Sequence, residues 1–172
     1  LCYKASPLLS HLVVTGNFAQ VVGGGMYFEE ANATVRHVIV SGNISTEHSG
    51  GGLGIYYCSP LIENARIENN RAVFVDGGGI QMYHANPTLR NVLVANNSAG
   101  GKGGGLFFDD ADAMMVNMTV AGNTAAKGGG LNVSYSSAPT LQNCIVWSNG
   151  NNEIEFDTTW FGMSLYVNHS IV

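Results

Sequence analysis

The chain has 172 residues, a length that fits one domain. Hydrophobic residues make up 45% of it and charged residues 11%, which is enough apolar material for a core and too little charge for a disordered chain. The net charge of −5 argues against a nucleic-acid-binding surface, and no apolar run approaches the ~20 residues of a membrane-spanning helix. We therefore expect no nucleic-acid partner and no membrane span in these residues.

The first predicted element of each repeat is a short strand. Proline stands just before this strand in four repeats, at Pro7, Pro60, Pro87 and Pro139, where a missing N–H is tolerated. Apolar and variable positions then alternate, as in residues 88–94, which predicts a strand with one buried face. One inward column reads Leu9, Val35, Ile62, Leu89, Met115, Leu141 and Val167, and a second reads Val14, Val40, Ile67, Val94, Val120 and Val146.

An asparagine follows the second apolar column by three residues in every repeat. Successive asparagines are 26, 27, 27, 26 and 26 residues apart, and this spacing predicts that one structural unit is stacked on itself. In such a stack the side-chain amides can hydrogen-bond from one unit to the next. The predicted structural ladder consists of Asn17, Asn43, Asn70, Asn97, Asn123 and Asn149.

A glycine triplet and a second strand complete each repeat. The triplets begin at Gly23, Gly50, Gly77, Gly103 and Gly128, and an aliphatic residue follows each one at once. Glycine in register indicates backbone conformations or close approaches that a Cβ atom would prevent. The run after each triplet favours β-branched and aromatic residues and predicts a strand.

Two short strands within about 26 residues are too few for a propeller blade, which has four. The chain also lacks the leucine and asparagine spacing of leucine-rich repeats, and nothing in it shows helical spacing over two turns. The remaining architecture is a parallel β-helix, in which coils stack at ~4.8 Å and identical side chains form columns. The three cysteines lie in different inward columns, which predicts small buried side chains rather than disulfide partners.

The combination of Gly-Gly-Gly-Leu with Val-x-x-Asn resembles the paired Gly-Gly-Ala-Ile and Phe-x-x-Asn repeats of polymorphic outer-membrane (Pmp-type) proteins. The chain is also similar to the wider set of secreted right-handed parallel β-helix proteins. This resemblance implies an all-β, right-handed parallel β-helix (β-solenoid) of about six coils of 25–27 residues. It also implies surface display, adhesion or a carbohydrate-active role, among which the fold alone does not choose.

The strand after the glycines carries the residues best suited to a ligand. Aromatic rings stack on the apolar faces of sugars, and carboxylates accept hydrogen bonds from sugar hydroxyls. The alternative is that exposed strand positions favour tyrosine and phenylalanine in any case, and that acidic residues keep a repeat array soluble. The candidate glycan-binding residues, all expected to face outward, are Tyr27, Glu29, Tyr56, Tyr57, Tyr83, His84, Phe107, Asp109, Asp110 and Tyr135, with Gln81, Asn132 and Ser134 beside them.

Catalysis has weaker support in the sequence. Asp109 and His84, one coil apart, form the best acid–base pair. A lyase that acts on an acidic sugar also needs a cation, and Lys4 is the only Lys or Arg on the strands that follow the glycines. We therefore expect a non-enzymatic protein without a cofactor.

The histidines suggest a metal site, but their context favours another role. His11, His37 and His169 share one column with Asn64, Asn91, Asn117 and Asn143. That pattern is typical of a polar ladder in which histidine replaces asparagine, and no cysteine or carboxylate joins the histidines to complete a zinc site. We expect no metal.

The outward side of the first strand carries an aliphatic stripe that marks a candidate assembly face. Arg66 and Thr119 interrupt the stripe, and β-branched residues suit strands in any case, so self-association and simple strand propensity are both open. The candidate assembly residues are Val13, Ile39, Leu93, Ile145 and Trp147.

Both ends of the chain fall inside predicted strands, so we expect residues 1–172 to form a single β-helix segment of a longer array. Its partners would be neighbouring coils of the same chain, with glycans or further copies as additional partners. The preferred hypothesis is an extracellular or cell-surface scaffold of an adhesin, appendage or matrix protein, without catalytic activity. The alternatives are a carbohydrate-binding or carbohydrate-active β-helix and a self-associating filament unit.

Overall fold

The computed structural model describes residues 1–21, 23–48, 50–159 and 161–172, which fold as a parallel β-solenoid of about six coils. The strands are, in chain order, β1 Cys2–Tyr3, β2 Leu8–Ser10, β3 Val13–Thr15, β4 Phe18–Ala19, β5 Met26–Glu29, β6 Thr34–Arg36, β7 Ile39–Ser41, β8 Ile44–Ser45, β9 Leu53–Tyr56, β10 Leu61–Glu68, β11 Arg71–Ala72, β12 Ile80–Tyr83, β13 Thr88–Ala95, β14 Ser98–Ala99, β15 Leu106–Asp109, β16 Met114–Val116, β17 Thr119–Ala121, β18 Leu131–Ser134, β19 Thr140–Gln142, β20 Ile145–Trp147, β21 Ile154–Phe156 and β22 Tyr166–Asn168. None of the described residues forms a helix that could cross a membrane.

The strands form three parallel sheets that run along the solenoid. Sheet 1 contains the strands after the glycines, in the order β1-β5-β9-β12-β15-β18-β21. Sheet 2 has 11 strands and follows the order β2-β6-β10-β13-β16-β19-β22, with β3, β7, β17 and β20 alongside. Sheet 3 is the short stack β14-β11-β8-β4. Because each strand pairs with the equivalent strand of the next coil, the sequence period becomes the pairing register.

The core lies inside the solenoid and is built from columns of like residues. On sheet 1 the inward column includes Phe28, Ile55, Met82 and Phe108, each with 0% of its surface exposed. On sheet 2 the predicted apolar columns face them and are buried from Val35 to Leu141 and from Val40 to Val146. Cys58 and Cys144 lie in this core, Cys2 is half-buried, and all three are free thiols.

The asparagine column forms a continuous hydrogen-bonded stack at the turn between sheets 2 and 3. Asn97 illustrates the pattern, because its backbone N–H and its Nδ2 both donate to Asn123 Oδ1, at 2.9 and 3.0 Å. Asn97 Nδ2 also donates to the carbonyl oxygen of Ile67 at 2.9 Å, and Asn97 Oδ1 accepts from Asn70. The same bonds recur at the other asparagines, so each buried amide accepts from a backbone N–H of the preceding coil and donates to a carbonyl oxygen of that coil.

The glycine triplets pack where sheets 1 and 3 come closest. A Cβ atom on Gly51 would lie 2.5 Å from the carbonyl carbon of Arg71 and 2.6 Å from the carbonyl oxygen of Gly78. Neighbouring triplets also hydrogen-bond directly, as in the bond from Gly51 N to Gly77 O at 3.0 Å. The triplet is therefore required by the close approach of backbones in adjacent coils.

We expect Asn97→Ala to lower the free energy of unfolding by about 3 kcal/mol, because it leaves buried donors and acceptors of the turn without partners. Asn168→Ala, at an exposed position of β22, is the matched control and should change stability by less than about 0.5 kcal/mol. Urea denaturation of the two variants and the parent protein measures the difference. Equal stability of the two variants would contradict the role given to the ladder.

Candidate functional site

Each coil leaves sheet 1 through a residue with positive φ. These residues are Lys4, Glu30, Tyr57, His84, Asp110 and Tyr135, with φ between 45° and 52°. In a regular strand, successive side chains point to opposite faces. A residue in the left-handed conformation breaks this alternation, so its side chain stays on the same face as that of the residue before it. Side chains at two successive positions, such as Tyr83 and His84, therefore reach the same outer surface. Because this corner is present in every coil, the positive φ is a property of the fold and not of one site.

A cleft of about 400 Å³ opens on this surface over three successive coils, those that contain β12, β15 and β18. Three consecutive corners supply most of its wall, and one residue from the segment after β21 closes the side. The lining residues are Tyr83, His84, Asp109, Asp110, Tyr135, Ser136 and Phe161. Five of them are predicted glycan-binding residues, which the coil stacking brings together.

The aromatic side chains at one end of the cleft pack against one another. The rings of Tyr57 and His84 are stacked, with centroids 5.3 Å apart and planes 9° apart. Tyr83 meets His84 edge to face at 4.3 Å and continues to Tyr56 at 5.3 Å. A hydrogen bond with Tyr57 raises the pKa of Tyr83. These contacts hold the rings in fixed orientations, which lowers the entropy cost of binding a ligand against them.

His84 pairs with a different carboxylate from the one predicted. Its Nδ1 lies 2.6 Å from Asp110 Oδ2, and both side chains are partly exposed. The predicted acid–base pair of His84 with Asp109 stays a prediction, since His84 contacts Asp110 and also acts on the pKa of Asp109. The corner geometry explains the contact with Asp110, because the left-handed position places Asp110 beside the equivalent left-handed residue of the preceding coil.

Asp109 occupies a less polar position than Asp110. Burial raises the pKa of Asp109 to about 6, with a further upward contribution from Asp110 and a downward one from His84. Among the described residues, no group donates a hydrogen bond to its carboxyl oxygens. The cleft therefore contains one ion-paired carboxylate and one carboxyl group that titrates close to neutral pH.

A buried charged cluster lies behind the cleft, on the corner before the glycine triplets. Lys102 Nζ contacts Asp157 Oδ2 at 2.5 Å, and only 5% of the Asp157 side chain is exposed. Burial acts to lower the pKa of Lys102, but the hydrogen bond and charge of Asp157, together with the charges of Asp76 and Tyr135, outweigh it, so the pKa of Lys102 is raised. The bond to Lys102 lowers the pKa of Asp157, and burial raises that of Asp76, which accepts a hydrogen bond from the Lys102 backbone N–H at 2.6 Å.

Four residues in or near the cleft were not predicted from the sequence: Lys102, Asp157, Ser136 and Phe161. Lys102 lies outside the strands of sheet 1, which carry the predicted binding residues. One signal was available: Asp76 and Lys102 occupy the same column, directly before a glycine triplet. Phe161 follows the last strand of sheet 1, where the repeat pattern has ended, so no column identifies it.

Two candidate glycan-binding residues are buried instead of outward-facing. Tyr27 is 8% exposed and Phe107 is 2% exposed, so the prediction that they form part of the binding surface is wrong. Their neighbours Gln81, Asn132 and Ser134 are buried as well. The physical reason is that the corner before each triplet packs over this column: a Cβ atom on Gly103 would lie 2.8 Å from Phe107 Cβ, and Gly50 N donates to Gln81 Oε1.

The remaining candidates lie outside the cleft. Glu29 is half-buried beside Tyr27, whose pKa is raised by burial and by Glu29. Tyr56 donates its hydroxyl hydrogen to the carbonyl oxygen of His48 at 3.3 Å. Tyr57 is exposed, and it reaches the cleft only through its stacking on His84.

The histidine column forms an exposed polar stack along the bend of sheet 2. His11 and His37 stack at 5.0 Å, and Asn143 donates to Asn117 at 2.7 Å, as Asn117 does to Asn91 at 3.1 Å. Within the described ranges, no group of three or more His, Cys, Asp or Glu side chains could hold a metal ion.

The candidate assembly residues lie on the outer side of sheet 2. Val13 is 68% exposed, Ile145 43% and Trp147 62%, whereas Ile39 and Leu93 are half-buried. The strand register places Arg66 and Thr119 in the same column as these residues. Self-association through this face stays a prediction.

The parallel coils, the inward columns and the cleft on an outer corner define a β-helix protein. The family model described as "Right handed beta helix region" matches residues 10–172, and the chain belongs to this family. The comparison with curated proteins gave no match, and neither did the comparison with solved structures. The finer resemblance to Pmp-type repeats stays a prediction.

We expect Asp109→Asn to stabilise the protein by about 1 kcal/mol at about pH 7.5 and to have little effect near pH 4. The folded-state pKa of Asp109 is raised, so its favourable contribution is present when it is protonated and is lost as the pH rises through about 6. Urea denaturation at both pH values measures this. Glu68→Gln on sheet 2 removes the same formal charge, and a gain as large for this control would contradict the assignment.

Proposed function

We propose that this β-helix binds a glycan in the cleft on the outer corner of sheet 1. The observation that carries the proposal is the lining of that one cleft, where the aromatic rings of Tyr83, Tyr135 and Phe161 meet the carboxyl groups of Asp109 and Asp110. Concave sites with aromatic walls and a few convergent polar groups are the usual form of small-ligand sites.

The aromatic part of the cleft suits the apolar face of a sugar ring. Phe161 is 91% exposed and stands at the side of the cleft, so a ligand that covers it removes apolar surface from water. Tyr83 is already held by Tyr56, Tyr57 and His84, so it loses little side-chain freedom on binding.

The polar part of the cleft suits sugar hydroxyls. Ionised carboxylates act only as acceptors, so Asp109 and Asp110 match the hydroxyl donors of a sugar. Charge-assisted hydrogen bonds of this kind are stronger than neutral ones. Ser136 adds a hydroxyl group that can donate or accept at the same edge.

The solenoid itself would serve as a rigid scaffold that presents this cleft. Long-range pairing between all coils leaves few ways for one coil to move alone, which favours a structural role in an extracellular or cell-surface adhesin, appendage or matrix protein. Binding without cleavage agrees with such a role. Val13 and Trp147 are exposed apolar side chains, which favours self-association as an additional property of the scaffold.

A glycan-array screen of the parent protein, followed by calorimetric titration of the best ligand, tests the proposal. Tyr83→Ala should weaken binding about tenfold, because a stacked aromatic ring contributes about 1 kcal/mol beyond the apolar area that it buries. Tyr166→Ala removes a 62% exposed tyrosine from sheet 2 and should bind like the parent. If the two variants bind the glycan with equal affinity, the cleft is not the binding site.

One observation favours a second candidate, a glycoside-cleaving enzyme. The pKa of Asp109 is raised to about 6, while the neighbouring Asp110 is held by His84. Two carboxyl groups in different environments are the usual acid and base of glycoside hydrolysis. In this candidate Asp109 protonates the leaving oxygen and Asp110 acts as the base or nucleophile.

Incubation of the bound glycan with the protein separates the two candidates. An enzyme should release new reducing ends, the rate should fall as the pH rises through about 6, and Asp109→Asn should lower it by at least about a hundredfold. Unsaturated ends would indicate elimination instead. A ligand that binds and stays intact between about pH 4 and pH 8 would leave binding as the function.

A further inference from the structure

The charges around the cleft are not balanced. The His84 imidazole contacts Asp110, with Nδ1 2.6 Å from Oδ2. Asp109 shares the cleft with them, and no described group donates a hydrogen bond to its carboxyl oxygens. At neutral pH the described part of the lining therefore presents one carboxylate, Asp109, that forms no ion pair with a described cation.

The nearest lysine does not supply that cation. Lys102 is directed to Asp157, at 2.5 Å, and Asp76 lies on its other side with its carboxyl oxygen on the Lys102 backbone N–H. Lys127 is the neighbour of Lys102 in the next coil, but it is exposed on the corner and does not line the cleft. Lys102 therefore pairs with Asp157 and not with Asp109, although its charge acts on Asp109 from a distance.

We propose that the cleft selects glycans that carry a free amino group, such as oligosaccharides of glucosamine, and rejects glycans built from uronic acids. This inference rests on the proposed function and names its ligand class. The ammonium group of an amino sugar would supply the missing partner of Asp109, while the ring of the same residue stacks against Tyr83 or Phe161.

The chemistry of the alternatives supports this choice. An N-acetylated sugar keeps the ring and the hydroxyls but lacks the charge, so it would use the aromatic wall without pairing Asp109. A uronate would bring a third carboxylate beside Asp109 and Asp110 with no free cation to receive it, and like charges close together disfavour binding. The affinity of the cleft should therefore decrease from amino sugars to N-acetylated sugars to uronates.

Titration of the purified protein with three matched oligosaccharides tests this order: glucosamine, N-acetylglucosamine and galacturonate oligomers of equal length. We expect the glucosamine oligomer to bind about tenfold more tightly than the acetylated one, which corresponds to one charge-assisted hydrogen bond. Asp109→Asn should remove this preference, so that the amino and acetylated oligomers bind the variant with equal affinity. Glu68→Gln, which removes a carboxylate from sheet 2, should keep the preference.

The outcomes separate this inference from the proposed function. Binding of the acetylated oligomer with equal or tighter affinity than the amino form, or preferred binding of the galacturonate oligomer, would overturn the charge selection and leave a glycan site in place. A preference for the amino form that survives Asp109→Asn would overturn the role of Asp109. No binding of any glycan to the cleft would overturn the proposed function together with this inference.

Discussion

The whole structure depends on hydrogen bonding between successive coils. A coil has no partner within itself, since the strands of sheets 1, 2 and 3 all pair in parallel with the equivalent strands one repeat away. Insertion of one residue in a strand would therefore move the inward side chains that follow it in that strand to the outer face. The asparagine ladder holds this register at the turns, where strand pairing is interrupted and buried backbone groups need other partners.

The candidate cleft is a consequence of the same register. Stacked corners repeat one left-handed position in every coil, so residues about 26 apart in sequence become neighbours on the surface. Tyr83, Asp109 and Tyr135 are brought together only by this stacking. Chemical variety along a column, in an otherwise uniform fold, is what distinguishes the three coils of the cleft from the others.

Most of the fold could be predicted from the sequence, because columns that recur in five or six coils leave few alternatives. The spacing of Val94 and Asn97 in each repeat indicated which residues face inward, and the structure buries both. The outer surface was harder to predict. Tyr27 and Phe107 stand at outward strand positions, but both are buried. The alternation of residues indicates which face of a strand a side chain occupies, and it does not indicate whether a loop covers that face.

The sequence by itself determined the parallel β-solenoid, its period and its core. Hydrophobic burial and backbone pairing act in the same way in each repeat, so the same residue types recur at the same positions of each repeat. Only the tertiary structure decided which outer residues form a site. His84 pairs with Asp110 and not with Asp109, and Lys102 is neutralised by Asp157, because those choices depend on side-chain positions across coils and corners. The repeat period gives the column that each residue occupies, but not which neighbouring side chain it contacts.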